Sequence, residues 1–157
     1  MKIKLLLTGK TKDSYIQEGF VSYIKRINHY IGIETIIIPD LKNSSGMVAS
    51  IVIEKEAESQ LKCIETADYL VLLDEKGKEF SSVDFSVFIQ QRMNAGIKNL
   101  CFLVGGPYGF SEKIYSRANQ KLSLSKMTFS HQLVRIIFAE QLYRAFTILK
   151  NEPYHHS

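Results

Sequence analysis

"FLVGGPYGFSE", residues 102–112, is the stretch of sequence that decides the fold class. Its apolar run stops at two glycines, a proline, a tyrosine and a third glycine, and Ser111-Glu112 then forms a typical helix start. The chain here leaves a buried strand through a tight turn and enters a helix. Repetition of that unit along the sequence would indicate an α/β domain.

Five short β-like runs, rich in Ile, Leu and Val, do punctuate the chain. They lie at residues 3–8, 33–38, 69–73, 99–105 and 121–125. Runs of this length fit strands that are buried on both faces of a parallel sheet. Helical patterns fall between them, at residues 13–30, 48–65, 82–95, 111–119 and about 130–150. The alternation predicts one α/β domain over residues 1–157, with a mainly parallel sheet and helices on both faces.

The composition favours a cytoplasmic protein without a membrane segment or a metal site. No run of about 18 apolar residues is present, and the N-terminus resembles a first strand more than a signal peptide. Cys63 and Cys101 lie in apolar surroundings without a CxxC partner, so we expect reduced core thiols. No cluster of metal-ligating residues is visible in the sequence.

The net charge of +4 comes entirely from the C-terminal part of the chain. Residues 111–157 hold seven basic and three acidic side chains, whereas the charges of residues 1–110 cancel. Three of the four histidines also lie in the C-terminal part. This asymmetry has two interpretations: a soluble surface with an uneven charge distribution, or a surface that meets a polyanion.

Apolar residues nearly encircle the predicted last helix, whereas a surface helix normally shows a single apolar stripe. We therefore expect this helix to be covered by its own sheet on one side and by a second subunit on the other. The alternative is a central helix in a monomer. Two pairs of polar residues four positions apart also lie on the helix, namely Glu140 with Arg144 and His131 with Arg135.

The turn "GGPYGFS" does not match the phosphate-binding loops that glycine-rich turns often form. It lacks the lysine of the GxxxxGK[ST] motif, and its glycines are not spaced as GxGxxG. Pro107 also occupies a position where a main-chain amide could have donated a hydrogen bond. A purely structural turn is one interpretation. The other is a ligand site, because ligands bind at the carboxyl ends of strands in open α/β sheets.

Two further loops follow predicted strands in the same way, at residues 72–82 and 122–135. The carboxyl ends of parallel strands meet at one edge of a sheet, so the three loops together predict a shared pocket. Their glycines and few charges suggest a flat ligand, uncharged or cationic, that is held largely by main-chain groups.

Four motifs in this chain resemble those of the ribosomal RNA large subunit methyltransferase H family, in the SPOUT superfamily of knotted methyltransferases. They are "LLDEKGK", "VGGPYGFS", "LSLSKMTFSHQLVRIIFAEQLYRAF" and the closing "PYHH". The resemblance covers the whole chain and implies a C-terminal trefoil knot and a homodimer with cofactor sites near its interface. It also implies that S-adenosyl-L-methionine donates a methyl group to N3 of a pseudouridine in the helix-69 loop of 23S rRNA, within the assembled ribosome.

The resemblance places the cofactor on the three loops already described. The positions that match the family's cofactor site are Leu73, Gly105, Leu124, Ser125, Lys126, Met127, Thr128 and Phe129. We expect main-chain groups to bind the adenine and the two leucines to form apolar walls. For each residue the alternative is ordinary turn or core packing, and the Lys126 side chain has the further alternative of pointing to solvent.

Methylation of N3 requires loss of its proton, so negative charge develops on the base and nearby cations would stabilise it. The candidates for this chemistry are His131, Arg135, Arg144 and His155, with Tyr143 and Tyr154 to stack on the base or bond it. A histidine is the natural proton acceptor, because its ordinary pKa lies near 6.5. Two purely structural interpretations stay open: Arg144 pairs only with Glu140, and Tyr143 belongs to an interface core.

Two other classes of function are compatible with parts of the sequence. The first is a ribosome-binding protein without catalysis, which would keep the basic dimer surface but have no affinity for S-adenosylmethionine. The second is a flavodoxin-like nucleotide binder, against which the missing phosphate motifs argue.

Overall fold

The fold is described from a computed structural model that covers residues 1–156. The elements in chain order are β1 (Lys2–Thr8), α1 (Ser14–Ile27), β2 (Ile33–Ile38), α2 (Ala49–Cys63), β3 (Asp68–Glu79), α3 (Ser82–Asn94), β4 (Asn99–Val104), α4 (Glu112–Arg117), β5 (Gln120–Ser123) and α5 (Leu133–Leu149). Every strand and helix predicted from the sequence is present.

The five strands form one sheet in the order β2-β1-β4-β3-β5, and every pairing between neighbours is parallel. Helices α1, α3 and α5 pack on one face, while α2 and α4 pack on the other. The central strands are buried on both sides, which is why they read as unbroken apolar runs rather than alternating ones. The predicted α/β class with helices on both faces is therefore confirmed.

An aromatic cluster fills the core beneath α3 and α5. Phe102 of β4 and Phe138 of α5 lie with their ring centroids 4.7 Å apart, and Phe85 and Phe88 of α3 stack beside them. Burial of each such ring contributes about 1.5–3 kcal/mol to folding. The cluster fixes the position of α5 on the sheet and so determines where the loop between β5 and α5 ends.

The third strand is longer than the sequence indicated. Residues 74–79 were predicted to belong to a loop, but β3 continues to Glu79, with a register shift between Leu73 and Lys78 in its pairing with β5. Gly77 lies at this irregularity. A Cβ there would come within 2.6 Å of main-chain atoms of Leu122, so only glycine allows the two backbones to approach.

Helix α5 packs between α1 and α3 and contacts both helices. A Cβ on Gly19 of α1 would overlap the Ile136 side chain of α5. The outward face of α5 still presents apolar side chains, including Ile137 and Ile148, which are half-buried, and Leu133, which is exposed. A second subunit on that face remains a prediction.

Both cysteines are free thiols, as expected from the sequence. Burial raises the pKa of the Cys101 thiol to about 12, which leaves it protonated and unreactive. Within residues 1–156, no helix has the length and hydropathy needed to cross a membrane.

Candidate active site

A cavity of about 640 Å³ opens where β4 and β5 end, beside residues 73–76 of β3. The turn after β4, the segment before α5 and the start of α5 complete it, so two of the three walls are the predicted loops and the third is strand. Its lining consists of Leu73, Asp74, Glu75, Lys76, Val104, Gly105, Gly106, Pro107, Tyr108, Gly109, Phe110, Tyr115, Leu122, Leu124, Ser125, Met127, Thr128, Phe129, Ser130, His131 and Val134.

The first wall is the glycine turn after β4. The Gly109 amide donates to the Gly106 carbonyl over 3.3 Å, and Gly109 has a φ of +82°, so Pro107 and Tyr108 form the tip of a β-turn. Gly106 lies directly against the Glu56 carboxyl group, where a Cβ would come within 2.6 Å of both carboxyl oxygens. Close packing, rather than an anion, accounts for this glycine.

Helix α4 after the turn offers no anion site. The Ser111 hydroxyl accepts a hydrogen bond from the Ile114 amide at 3.3 Å and so caps the helix. The helix itself is only six residues long. The turn is therefore a rigid wall of a cavity and does not have the form of a phosphate loop.

The second wall is residues 73–76, and it carries two carboxylates. The Tyr115 hydroxyl donates a hydrogen bond to Asp74, whose other oxygen accepts from the Lys76 amide at 2.7 Å. Burial, and next the bond to Asp74, raise the pKa of Tyr115, so it remains a donor. The Thr128 hydroxyl donates to Glu75 over 2.7 Å, which joins the second wall to the third.

The third wall is the segment before α5, and hydrogen bonds at both of its ends hold it in place. The Ser123 hydroxyl donates to the Ser125 carbonyl and the Met127 amide donates to the Ser125 hydroxyl, both over 2.9 Å. At the far end, the Gln132 side chain bonds the main chain of Lys10 and of Lys12 at 3.0 Å each. The segment is thereby tied to the loop after β1.

His131 lines the cavity, and Arg135 lies one helical turn behind it. Burial lowers the pKa of His131, and the positive charges of Arg135 and Lys12 lower it further, although Asp40 acts in the opposite direction. A neutral imidazole in the cavity is the consequence at neutral pH. Neutral imidazole is the form that can accept a proton.

Arg135 is the largest fully buried side chain in the described residues, at 0% exposure. Its guanidinium donates to the His131 carbonyl at 3.1 Å, to the Thr11 hydroxyl at 2.9 Å and to the Thr8 carbonyl at 2.6 Å. All three acceptors are neutral, and burial lowers the Arg135 pKa. In this conformation Arg135 ties β1 to the segment before α5 and does not reach the cavity.

The other four predicted catalytic residues gather at the opposite end of α5. Tyr154 donates to Glu140 at 3.1 Å, its ring meets that of Tyr143 edge to face at 4.8 Å, and Arg144 lies over it at 4.7 Å. Arg144 also pairs with Glu140 and contacts His155. Ten residues separate Arg144 from the cavity residue Val134, which is about 15 Å along the helix.

The structure thus brings some of the predicted site residues together and separates others. Seven of the eight predicted cofactor positions line the cavity, whereas the Lys126 side chain is exposed and lies outside the lining. Of the six predicted catalytic residues, only His131 lines it. The expected pairing of Glu140 with Arg144 is present.

Sequence reasoning missed several lining residues, chiefly Asp74, Glu75, Tyr108 and Tyr115. The two carboxylates stood in the quoted "LLDEKGK", directly after the predicted third strand, so their place at the sheet edge was open to inference. Tyr115 carried no such signal, because it reaches the cavity only through the packing of α4.

Comparisons with known proteins agree on one family. A family model described as a predicted SPOUT methyltransferase matches residues 1–155. The ribosomal RNA large subunit methyltransferase H of Parabacteroides distasonis is 54% identical over 156 residues, and the protein of the same name from Christiangramia forsetii is 56% identical. Each match covers 99% of this chain and 99% of the relative.

A solved structure described as a probable methylase family protein from Haemophilus influenzae Rd KW20 is also similar. It is 11% identical with a TM-score of 0.50, over 96% of this chain and 66% of that chain. This likeness concerns the fold alone.

Proposed function

Because this chain belongs to the SPOUT methyltransferase family, we propose that it transfers a methyl group from S-adenosylmethionine to N3 of a pseudouridine in 23S rRNA. The observation that carries the proposal is the full-length identity of 54–56% to relatives named ribosomal RNA large subunit methyltransferase H. The pseudouridine in the helix-69 loop of the assembled ribosome follows from the shared motifs, and the cytoplasm is the compartment that such a substrate requires.

The cavity suits the proposed methyl donor in size and in chemistry. Its volume lies within the range of about 300–1,000 Å³ that is usual for small-molecule sites. Leu73 and Leu124 offer apolar walls for the adenine, and main-chain groups of residues 124–129 offer hydrogen bonds. Asp74 and Glu75 place negative charge where a cationic ligand gains from it. S-Adenosylmethionine, when bound, supplies an electrophilic methyl group on a positively charged sulfur.

His131 is the proposed proton acceptor. Its imidazole lines the cavity, and its lowered pKa keeps it neutral near pH 7. The acid limb of the reaction's pH profile should therefore lie below 6.5. Arg135 acts as a positioning residue, because its bond to the His131 carbonyl holds the main chain from which the imidazole projects. Most of the rate gain comes from holding N3 and the methyl group in line.

We propose further that the enzyme is a homodimer with a C-terminal trefoil knot, as the family resemblance implies. The separation of about 15 Å between the cavity and the residues around Tyr154 supports a second copy, since one chain alone does not unite them. In the dimer, Tyr143, Arg144, Tyr154 and His155 of one subunit would complete the site of the other. The apolar outer face of α5 supplies a surface for that contact.

The test is transfer of a labelled methyl group to ribosomes that lack this modification, followed by mapping of the product nucleotide. Label on N3 of a helix-69 pseudouridine is the expected result, and label elsewhere would contradict the assigned substrate. Calorimetry with S-adenosylmethionine separates the enzyme from a ribosome-binding protein without catalysis: no heat at millimolar ligand would refute a cofactor site. Sedimentation at micromolar concentration as an 18.0 kDa species would refute the dimer.

A further inference from the structure

Two large apolar side chains stand exposed at the mouth of the cavity. Tyr108 is 53% exposed at the tip of the glycine turn, and Met127 is 76% exposed on the segment before α5. Single exposed apolar residues are normal on protein surfaces. Here, however, two of the most exposed ones lie on separate walls of one cavity, which indicates a contact surface for something that enters it.

Both side chains are mounted on rigid backbone. Tyr108 occupies the tip of a turn that the Gly106–Gly109 bridge closes, and Pro107 beside it has a fixed φ. Met127 donates its amide to the Ser125 hydroxyl, and the next residue, Thr128, bonds Glu75. A rigid mounting lowers the entropy cost of binding, since little backbone freedom remains to be lost.

The ring and the hydroxyl of Tyr108 have no aromatic or hydrogen-bonding partner in the described residues. Within residues 1–156, its ring stacks on no other aromatic ring, and its hydroxyl makes no hydrogen bond with another side chain or with the main chain. By contrast, both groups of Tyr115, which lines the same cavity, have partners: its ring contacts Phe110 edge to face and its hydroxyl donates to Asp74. Tyr108 is therefore free to stack on a ligand.

Four exposed lysines lie on the cavity wall or on segments next to it. Lys76 lines the cavity and Lys126 directly precedes Met127. Lys10 and Lys12 are held beside His131 through their main-chain bonds to Gln132. Of the four, only Lys76 belongs to the lining that carries Asp74 and Glu75, so the other three place positive charge outside an interior that holds two carboxylates.

An apolar contact surface within a ring of cations matches single-stranded RNA. A nucleobase offers a flat apolar face to an aromatic side chain, and its flanking phosphates are attracted to lysines. Enzymes that modify a base take it out of its stack before they act on it. A polypeptide partner would not require both features around a cavity that contains a neutral imidazole.

We propose that Tyr108 and Met127 form the stacking surface for the unstacked target base, and that Lys10, Lys12, Lys76 and Lys126 bind its flanking phosphates. This inference deepens the proposed function and rests on it. It also gives the exposed side chain of Lys126 a role at the RNA, beside the main-chain contact to the cofactor proposed for residues 124–129.

The test compares Tyr108→Ala with Tyr108→Phe, and uses Tyr15→Ala as the control because Tyr15 is 66% exposed on α1 and lies outside the cavity lining. We expect Tyr108→Ala to lower kcat/KM for ribosomes about 5- to 150-fold, which corresponds to the about 1–3 kcal/mol that base–aromatic stacking contributes. Tyr108→Phe keeps the ring and should lose clearly less than Tyr108→Ala, whereas Tyr15→Ala should stay within about twofold of the wild-type protein. The affinity for S-adenosylmethionine should not change in any of the three.

Three results would overturn the inference. The first is an unchanged kcat/KM in Tyr108→Ala. The second is a loss of S-adenosylmethionine affinity as large as the loss of kcat/KM, which would place Tyr108 in the donor site. The third is a shift to monomer in sedimentation, which would place Tyr108 in the subunit contact. If the unmodified protein itself transfers no methyl group, the proposed function fails instead. Binding of a labelled stem-loop RNA then still tests Tyr108, and equal affinity of Tyr108→Ala would refute it.

The lysines have a separate signature in the salt dependence of RNA binding. Each phosphate contact removed should reduce the slope of log affinity against log salt by about 0.7 on single-stranded RNA. Lys126→Gln should show this change, whereas Lys62→Gln on the exposed side of α2 should not. An unchanged slope in Lys126→Gln would exclude that lysine from the phosphate contacts.

Discussion

Replacement of Arg135 by methionine separates a structural role from direct participation in the chemistry. Methionine keeps most of the aliphatic volume but removes the charge and all three hydrogen bonds. The carbonyls of Thr8 and His131 and the Thr11 hydroxyl then lose this donor. The bond to Thr8 is buried and the other two are partly buried, and a buried acceptor left unpaired costs about 1–3 kcal/mol. Relief from holding a buried cation offsets part of this loss. We expect the free energy of unfolding to fall by about 2–4 kcal/mol, within a total of about 5–15 kcal/mol.

The assay is urea unfolding at one fixed protein concentration, because any dimer makes stability depend on concentration. Calorimetry on the same samples should show weaker S-adenosylmethionine binding, since the segment before α5 loses its tie to β1. Lys25→Met is the control: Lys25 is exposed on α1, so its loss should stay within about 0.5 kcal/mol. If Arg135→Met unfolds like the unmodified protein yet transfers no methyl group, then Arg135 acts on the substrate and the burial argument is wrong.

Three further predictions concern the backbone, the proposed base and the C-terminal tail. Gly77→Ala should lower the free energy of unfolding by about 1–3 kcal/mol in urea, because its Cβ would overlap the Leu122 backbone. The unmodified protein should lose kcat/KM on acidification with a midpoint below pH 6.5, because a lowered pKa means that His131 takes up its proton only at lower pH; His131→Gln should abolish that limb in the pH profile. Deletion of residues 153–157 should leave S-adenosylmethionine binding intact in calorimetry but abolish labelled methyl transfer to ribosomes.

The fold was accessible from the sequence because each element carries its own local signal. Strands such as β4 are buried on both faces, so their apolar runs are continuous and bounded by turns. Ser81 and Ser111 cap α3 and α4 with their side chains, and Gly96 takes a positive φ after α3. Signals of this kind are short-range and need no knowledge of the packed structure.

The site was only partly accessible, because tertiary packing decides what a polar side chain faces. Arg135 was expected among the cations that stabilise the base, yet it is completely buried and bonds three neutral acceptors, two of them in the distant segment 8–11. The extension of β3 past Leu73 was missed for a related reason. Its charged residues look like a loop, and only the approach of β5 at Gly77 keeps them in the sheet.

The geometry around Tyr154 limits what the C-terminal residues can contribute to the proposed reaction. Arg144 already forms a salt bridge with Glu140, and this bond is the main reason why its pKa is raised. Its charge is therefore largely compensated, so it stabilises a negatively charged base less than a free arginine would. Tyr154 is held by its hydrogen bond to Glu140, by the ring of Tyr143 and by the guanidinium of Arg144, and it is thus fixed in place. Such a cluster acts best by positioning the base, whereas the proposed proton acceptor is His131 in the cavity.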